Sequence, residues 1–337
     1  MGNRKEVNKK GIVNGVLLLF IVSLLLRVFG KDYREIADCL SRLSPAGLIL
    51  ILGAGAVCQL LDAAVFHTVI HRNQPSFPYG SALTVTLLTV FANVTTSGIG
   101  SIPLQSFYLY RHGMPVGSGI GAMTLEYALH KTTVFFYAAV AMCIKGPWLC
   151  DTIPGLGAYL LPGFIINGVI ITALILACTW EKVKQLLLWL LEKLPNTQKW
   201  KKRRAEWEHN LTCLYEEAGR LLRSSSCCTQ VLALNICKLT WMYLIPWLSM
   251  RVLGIGGPEV TQVLSLSAVM LLITGAIPNV AGVGPMEFAF LMLFTPYIGS
   301  AQACSALVLY RVATYFLPFL MSLFVFWKVR RCLGAPG

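Results

Sequence analysis

Charge is what this chain has least of. Only 13% of its 337 residues are Asp, Glu, Lys or Arg, against roughly 25% in an ordinary soluble domain. With 56% hydrophobic residues and a mean hydropathy of +0.66, that shortage excludes a disordered chain and a nucleic-acid-binding domain, and it argues against a soluble enzyme. Alternating segments of about 10 residues are missing, which argues against a β-barrel. The 11 cysteines form no Cys-x-x-Cys and no metal-ligand spacing, so most read as apolar filler and no metal or redox cofactor is expected. There is no GxSxG, no HExxH and no P-loop, and the five histidines are scattered. No nucleophile constellation stands out.

Long apolar runs are what is there. Stretches of about 20 residues, enough to cross a bilayer, recur at 11–29, 46–70, 118–143, 155–179, 229–253 and 302–327. Two shorter apolar stretches, 81–97 and 261–276, each run into a Gly/Pro break and a second short stretch, 102–110 and 286–297. The basic start Met1–Lys10 precedes a first span without a small-residue cleavage site, so that span reads as a retained helix.

Charge fixes the topology. Acidic residues number 15 against 28 Lys+Arg, a net +13. Ten of the basic residues lie in 180–228, and Lys328, Arg330, Arg331, Arg4, Lys5, Lys9 and Lys10 cluster near the ends. All three clusters belong in the cytoplasm. They share one side only if 81–110 dips in and returns there, and 261–297 dips in from the outside and returns outside. The expected fold class is therefore an all-α integral membrane protein of about six full transmembrane helices plus two re-entrant helical hairpins in an inverted repeat. Its expected parts are a cytoplasmic N-terminus 1–10, a first membrane half 11–179 and a basic amphipathic linker 180–228. A second membrane half 229–327 and a cytoplasmic tail 328–337 complete it. Multi-pass insertion in a membrane, with both termini cytoplasmic, goes with it. Cys143 and Cys150 flank a predicted outer loop and are candidates for a disulfide.

Three segments outside the spans are amphipathic. Tyr33, Ile36, Leu40 and Leu43 predict an outer interfacial helix. Val183, Leu187, Leu190, Leu191 and Leu194 form one apolar face, and Trp207, Leu211, Leu214, Ala218 and Leu221 another. The latter two read as helices along the inner surface, the rival being a coiled-coil contact.

The two breaks match each other. Ser97-Gly98-Ile99-Gly100 is echoed by Ala281-Gly282-Val283-Gly284, an offset of 184 residues for both glycines. Asn93-Val94 and Asn279-Val280 precede them; Pro103 with Gln105, and Pro285 with Glu287, come after. Glycine lets the chain leave helical geometry, and proline suits the first turn of a returning helix. Such helix starts bind anions, phosphate included. Paired, interrupted segments of opposite sense are the pattern of an inverted-repeat transporter. Packing kinks in an inert bundle are the plainer alternative.

Several charges fall deep. By helical rise, Asp62, Glu126, Lys238 and Arg311 lie roughly 12–14 Å inside a face. Glu287 lies beside the second break, and Lys131 lies closer to the outer side. Intramembrane charges face a cavity or one another, so structural ion pairs compete with substrate binding as their role. The expected substrate-binding set is Gly98, Gly100, Pro103, Gln105, Glu126, Lys238, Gly282, Gly284, Glu287 and Arg311, with Asp62 and Lys131 as coupling or ion-pairing groups. His130, four residues after Glu126, is a candidate for a local hydrogen bond to it. Cations and helix N-termini suit a phosphate, and the carboxylates suit an amine or a coupled proton. A zwitterionic or aminoacylated phospholipid headgroup fits both, and a proton-coupled small solute fits nearly as well.

The stretch from Ser97 through Gly98, Gly100, Pro103 and Gln105 to Arg111 and Gly113 resembles the first glycine motif of the lysylphosphatidylglycerol synthase transmembrane family. Ile277-Pro278 through Gly282, Gly284 and Glu287 resembles the second, and Tyr310-Arg311 through Tyr315 and Pro318 resembles the last-helix pattern. The resemblance spans about residues 10–330. Thr96 and Ser101 depart from the first motif, where many members carry proline and glycine. The resemblance implies a domain like the flippase portion of the multiple peptide resistance factor. In full-length members that portion moves aminoacylated phosphatidylglycerol outward, contributing to cationic antimicrobial peptide resistance. A membrane phospholipid is then the partner. Full-length synthases add a large soluble aminoacyl-transfer domain. This chain stops about ten residues after its last predicted span, and 180–228 is too short for an aminoacyl-tRNA site. Transferase activity is expected only with a soluble synthase partner.

Overall fold

The computed structural model describes residues 38, 40–72, 74–96, 100–153, 155–193, 198–277 and 284–333, and these are helical throughout, joined by short turns. The helices are α1 Pro45–His71, α2 Tyr79–Thr96, α3 Ser101–Arg111, α4 Val116–Thr152, α5 Gly157–Thr179 and α6 Glu181–Glu192. Then come α7 Gln198–Arg223, α8 Ser225–Val252, α9 Val260–Ala276, α10 Pro285–Ile298 and α11 Ser300–Arg311. A π turn, Val312–Phe316, leads into α12 Leu317–Leu333.

Starts and stops obey local chemistry. Ser44 caps α1 by accepting from Gly47 N at 3.0 Å, with Pro45 in the first position, where its missing N–H is harmless. Ser224 accepts from Cys227 N at 3.4 Å at the head of α8. Gln262 Oε1 accepts from Glu259 N at 2.8 Å at the head of α9. Each bond satisfies a backbone donor that the helix itself leaves unpaired.

Five helices among the described residues are long and apolar enough to cross a membrane: α1, α4, α5, α8 and the continuous Ser300–Val329. Their surfaces agree. Phe136, Ile144, Leu161, Val169, Leu320 and Phe324 are each more than half exposed, an apolar belt that suits lipid and not water. The chain is a multi-pass membrane protein. The first predicted span, 11–29, and most of the outer amphipathic helix lie outside the described residues.

Packing runs in matched pairs. The helix α1 packs on α8, through Trp241 Nε1, which donates to Ala54 O at 3.0 Å. Helix α1 also packs on α2, and α8 on α9; α2 packs on α3, and α9 on α10; α3 packs on α4, and α10 on α11. Across the molecule α12 lies on α2, while α4 lies on α9. Two cores result. One gathers Tyr243, Phe290, Phe294 and Tyr310 beneath α9 and α10. The other gathers Phe66, Phe77, Leu109 and Met123 beneath α2 and α3.

Two expectations change. Cys143 and Cys150 are free thiols on one unbroken helix, α4, with no loop between them. Seven residues of helix separate their Cα atoms by about 10 Å, beyond disulfide reach. Helix α7 packs in part on α4 and α5 rather than only on a membrane surface. A Cβ on Gly117 would stand 2.0 Å from Asn210 O, and one on Gly121 2.6 Å from Leu214 O. Glycine therefore lets the two backbones touch, and Gly117 N donates to Asn210 Oδ1 at 3.2 Å.

Candidate functional site

The first break joins α2 to α3. Gly98 and the rest of 97–99 lie outside the described residues. Gly100 precedes α3, and a Cβ there would stand 2.7 Å from Thr96 Oγ1, which already accepts from Gly100 N at 2.7 Å. Pro103 is in the first turn of α3. Gln105 Nε2 donates to Thr89 Oγ1 at 2.8 Å, tying α3 back onto α2.

The second break joins α9 to α10. Gly282 lies outside the described residues. Gly284 takes φ +108° immediately before Pro285, a conformation that favours glycine. Its N–H donates to Glu287 Oε2 at 2.6 Å, and the other oxygen of Glu287 meets Arg311 Nη2. Both side chains are about nine-tenths buried. The Arg311 guanidinium carbon also lies 5.3 Å from the Tyr315 ring centre. One carboxylate thus closes the head of α10 and binds it to the end of α11, just before the π turn. There the backbone crowds α1: a Cβ on Gly55 would stand 2.3 Å from Ala313 O.

A second charge cluster joins α1, α4 and α8. Lys238 Nζ donates to Asp62 Oδ1 at 2.7 Å; the lysine is buried, while the Asp62 side chain is two-fifths exposed. Glu126 on α4 is close enough to act electrostatically on Lys238. His130 turns to Asn235 on α8, Nδ1 to Oδ1 at 3.2 Å, and the expected bond to Glu126 does not form. Helices α4 and α8 pack side by side, so the amide across the seam takes the ring nitrogen instead.

Lys131 stands apart. It is five residues beyond Glu126 and so about 140° around α4. It lies near the middle of a 37-residue helix, which runs well past the span predicted at 118–143. Its ammonium lies 5.7 Å from the Tyr127 ring centre, and no carboxylate comes within 4.0 Å among the described residues. It lines a cavity of about 180 Å³ with His130, Thr274, Gly275, Pro285 and Met286.

Sequence reasoning passed over Asn167. It is fully buried in α5 and donates to Gly163 O at 2.8 Å and Leu272 O at 2.9 Å. An amide inside an otherwise apolar run was the available signal. A wide apolar groove of about 600 Å³ also opens between α4, α8 and α9, lined by Phe136, Val140, Ile144, Ile236 and Leu264. No group of three metal-ligating side chains occurs among the described residues.

A search of curated proteins found no match. A family model, described as the lysylphosphatidylglycerol synthase TM region, matches residues 12–322. That match takes in both Gly/Pro breaks, both of these ion pairs and every described span but for the end of the last, so the chain belongs to the lysylphosphatidylglycerol synthase transmembrane family.

Proposed function

We propose that this chain is a lipid translocase of the bacterial inner membrane, with α2–α3 and α9–α10 as re-entrant hairpins of opposite sense. The observation that carries this reading is the self-matching packing around the two breaks. Exchanging α1 with α8, α2 with α9, α3 with α10, and α4 with the run α11 to α12 returns the same contacts among these helices, with α5 to α7 standing outside the exchange. An inverted repeat has that property, and such repeats put substrate between interrupted helices near mid-membrane.

The chemistry supports a headgroup with a phosphate. Asp62–Lys238 and Glu287–Arg311 are matched pairs; the first holds the seam between the halves, and the second ties α10 to α11 within one half. Lys131 is a deep cation left for an anionic ligand. The groove along Phe136, Val140 and Ile144 opens sideways from α4, as acyl chains require and a water-soluble cargo does not. An aminoacylated phosphatidylglycerol carries the phosphate and an amine, so outward movement of it, and with that resistance to cationic peptides, fits. The membrane phospholipid is the partner, both termini face the cytoplasm, and aminoacyl transfer, if coupled to this chain, falls to a soluble partner.

The test is leaflet exposure of headgroups in proteoliposomes, comparing wild type with Glu287→Gln. Aminoacyl-phosphatidylglycerol, phosphatidylglycerol and a polyprenyl phosphate are assayed side by side. Glu287-dependent movement of one lipid is expected. Folded protein that moves none of them overturns the reading.

A further inference from the structure

Asn167 has two polar ends in different circumstances. Its Nδ2 is committed to two carbonyls, Gly163 O and Leu272 O. That fixes the amide's orientation, because turning it over would set its oxygen against both carbonyls. Its Oδ1 is left buried without a donor among the described residues. Buried acceptors are nearly always paired, and an exception calls for a physical reason.

The position of that oxygen supplies one. A Cβ on Gly275 would stand 2.8 Å from Asn167 Oδ1 and 2.8 Å from Lys131 Nζ. Both groups therefore pack against the bare Cα of Gly275, and a side chain there would displace them. Gly275 and Lys131 line the cavity of about 180 Å³ that reaches Pro285 and Met286 at the head of α10. The cavity therefore offers a cation for an anion, and behind Gly275 in its wall lies an acceptor that needs a donor.

We propose that this cavity is a headgroup subsite for a phosphate ester whose alcohol carries a hydrogen-bond donor. Lys131 takes the phosphate and Asn167 Oδ1 accepts from the alcohol's O–H or N–H. The subsite deepens the lipid reading and rests on it for the source of the phosphate. Asn167 then acts as a selectivity residue. A headgroup able to donate fills its vacant acceptor, while one that cannot leaves the acceptor unpaired and is disfavoured.

The test compares phosphatidylglycerol with phosphatidylpropanol, which keeps the phosphate and the three-carbon alcohol but has no hydroxyl. Binding of short-chain forms to the purified full chain in detergent is measured, with glycerol 3-phosphate as a competitor. Phosphatidylglycerol is expected to bind about tenfold tighter, the ratio that one hydrogen bond supplies. Asn167→Leu should bring the ratio to near one. Lys131→Met should weaken both lipids while leaving the ratio, and Gly275→Ala should weaken both by pushing Lys131 and Asn167 out of place. Equal binding by wild type overturns the subsite, even if Asn167→Leu fails to fold. Strong competition by glycerol 3-phosphate keeps the subsite and shifts its source to a free phosphate ester. Hydroxyl-dependent binding without translocation in proteoliposomes sinks the transport reading and leaves the subsite. Translocation of both lipids with equal binding does the reverse.

Discussion

Lys238 and Asp62 meet at 2.7 Å across the α1–α8 seam, and the two ends of that contact differ: the ammonium is buried and the carboxylate is partly open. Removing one partner of a buried pair costs about 3–5 kcal/mol when a charge is stranded. The asymmetry gives an order to the mutants. Asp62→Ala strands the buried ammonium and should lower stability by roughly 3 kcal/mol. Lys238→Met leaves a carboxylate that keeps its open side and should lower it much less. Thermal unfolding of the two variants in one detergent checks the order; equal losses would show that burial of the lysine does not decide it.

The Glu287–Arg311 pair is closed on both sides, so its mutants should behave differently. Glu287→Gln keeps an oxygen for Gly284 N but leaves the buried guanidinium without its carboxylate, and should lower stability by roughly 3–5 kcal/mol and lose transport. Arg311→Ala strands a buried carboxylate and should lower stability by roughly 3–5 kcal/mol. The double variant Glu287→Gln with Arg311→Gln should recover most of that stability but no transport. Unfolding curves and a leaflet assay on the three variants separate the two effects, and recovery of transport in the double variant would make the pair purely structural.

Gly117 is where α4 and α7 touch. A methyl there would lie 2.0 Å from Asn210 O, and backbone cannot step aside as a side chain can. Overpacking of this kind costs roughly 1–3 kcal/mol. Gly117→Ala should loosen α7 and raise the labelling rate of Cys213, which sits half-buried on that helix. Gly219→Ala, on the same helix with nothing within 4 Å, is the control and should not raise that rate, since alanine favours the helix there.

Glu217 on α7 is buried, with Arg220 3.8 Å away. Burial pushes its carboxyl above the usual glutamate range, and the arginine only partly opposes that. The folded state then holds its proton to a higher pH than the unfolded chain does. Stability should therefore fall as pH rises through the window between the usual glutamate value and the raised one. Glu217→Gln should abolish that slope and stabilise the helix above the window. A pH series of unfolding midpoints, wild type against variant, checks the sign; an unchanged slope would exclude Glu217 as its source.

The long helices were legible because twenty apolar residues in a row admit few alternatives. The predicted 155–179 and 229–253 stand beside the observed Gly157–Thr179 and Ser225–Val252. Helix α4 was read too short, because Lys145, Gly146 and Pro147 look like a span end. The structure carries the helix through Pro147 to Thr152. Glu287, Arg311, Asp62 and Lys238 stood out as deep charges, but their pairing did not, since partners on different helices depend on how those helices pack. Asn167 and the π turn were missed for the same reason. An amide's unpaired oxygen and an extra residue in a turn exist only once neighbours are in place.

The π turn at Val312–Phe316 makes the last span something other than a rigid rod. A turn that holds one residue more than its α-helical equivalent can hand that residue on, and each such slip would swivel the rest of the helix by about 100°. Arg311, pinned to Glu287, is the fixed bearing; α12, whose Leu320 and Phe324 point outward, is the shaft. Torsion applied to the first half through α2, on which α12 lies, would thus be delivered to the arginine clasp as rotation, not as bending. Spin labels at Phe324 that report a single orientation throughout turnover would rule such a swivel out.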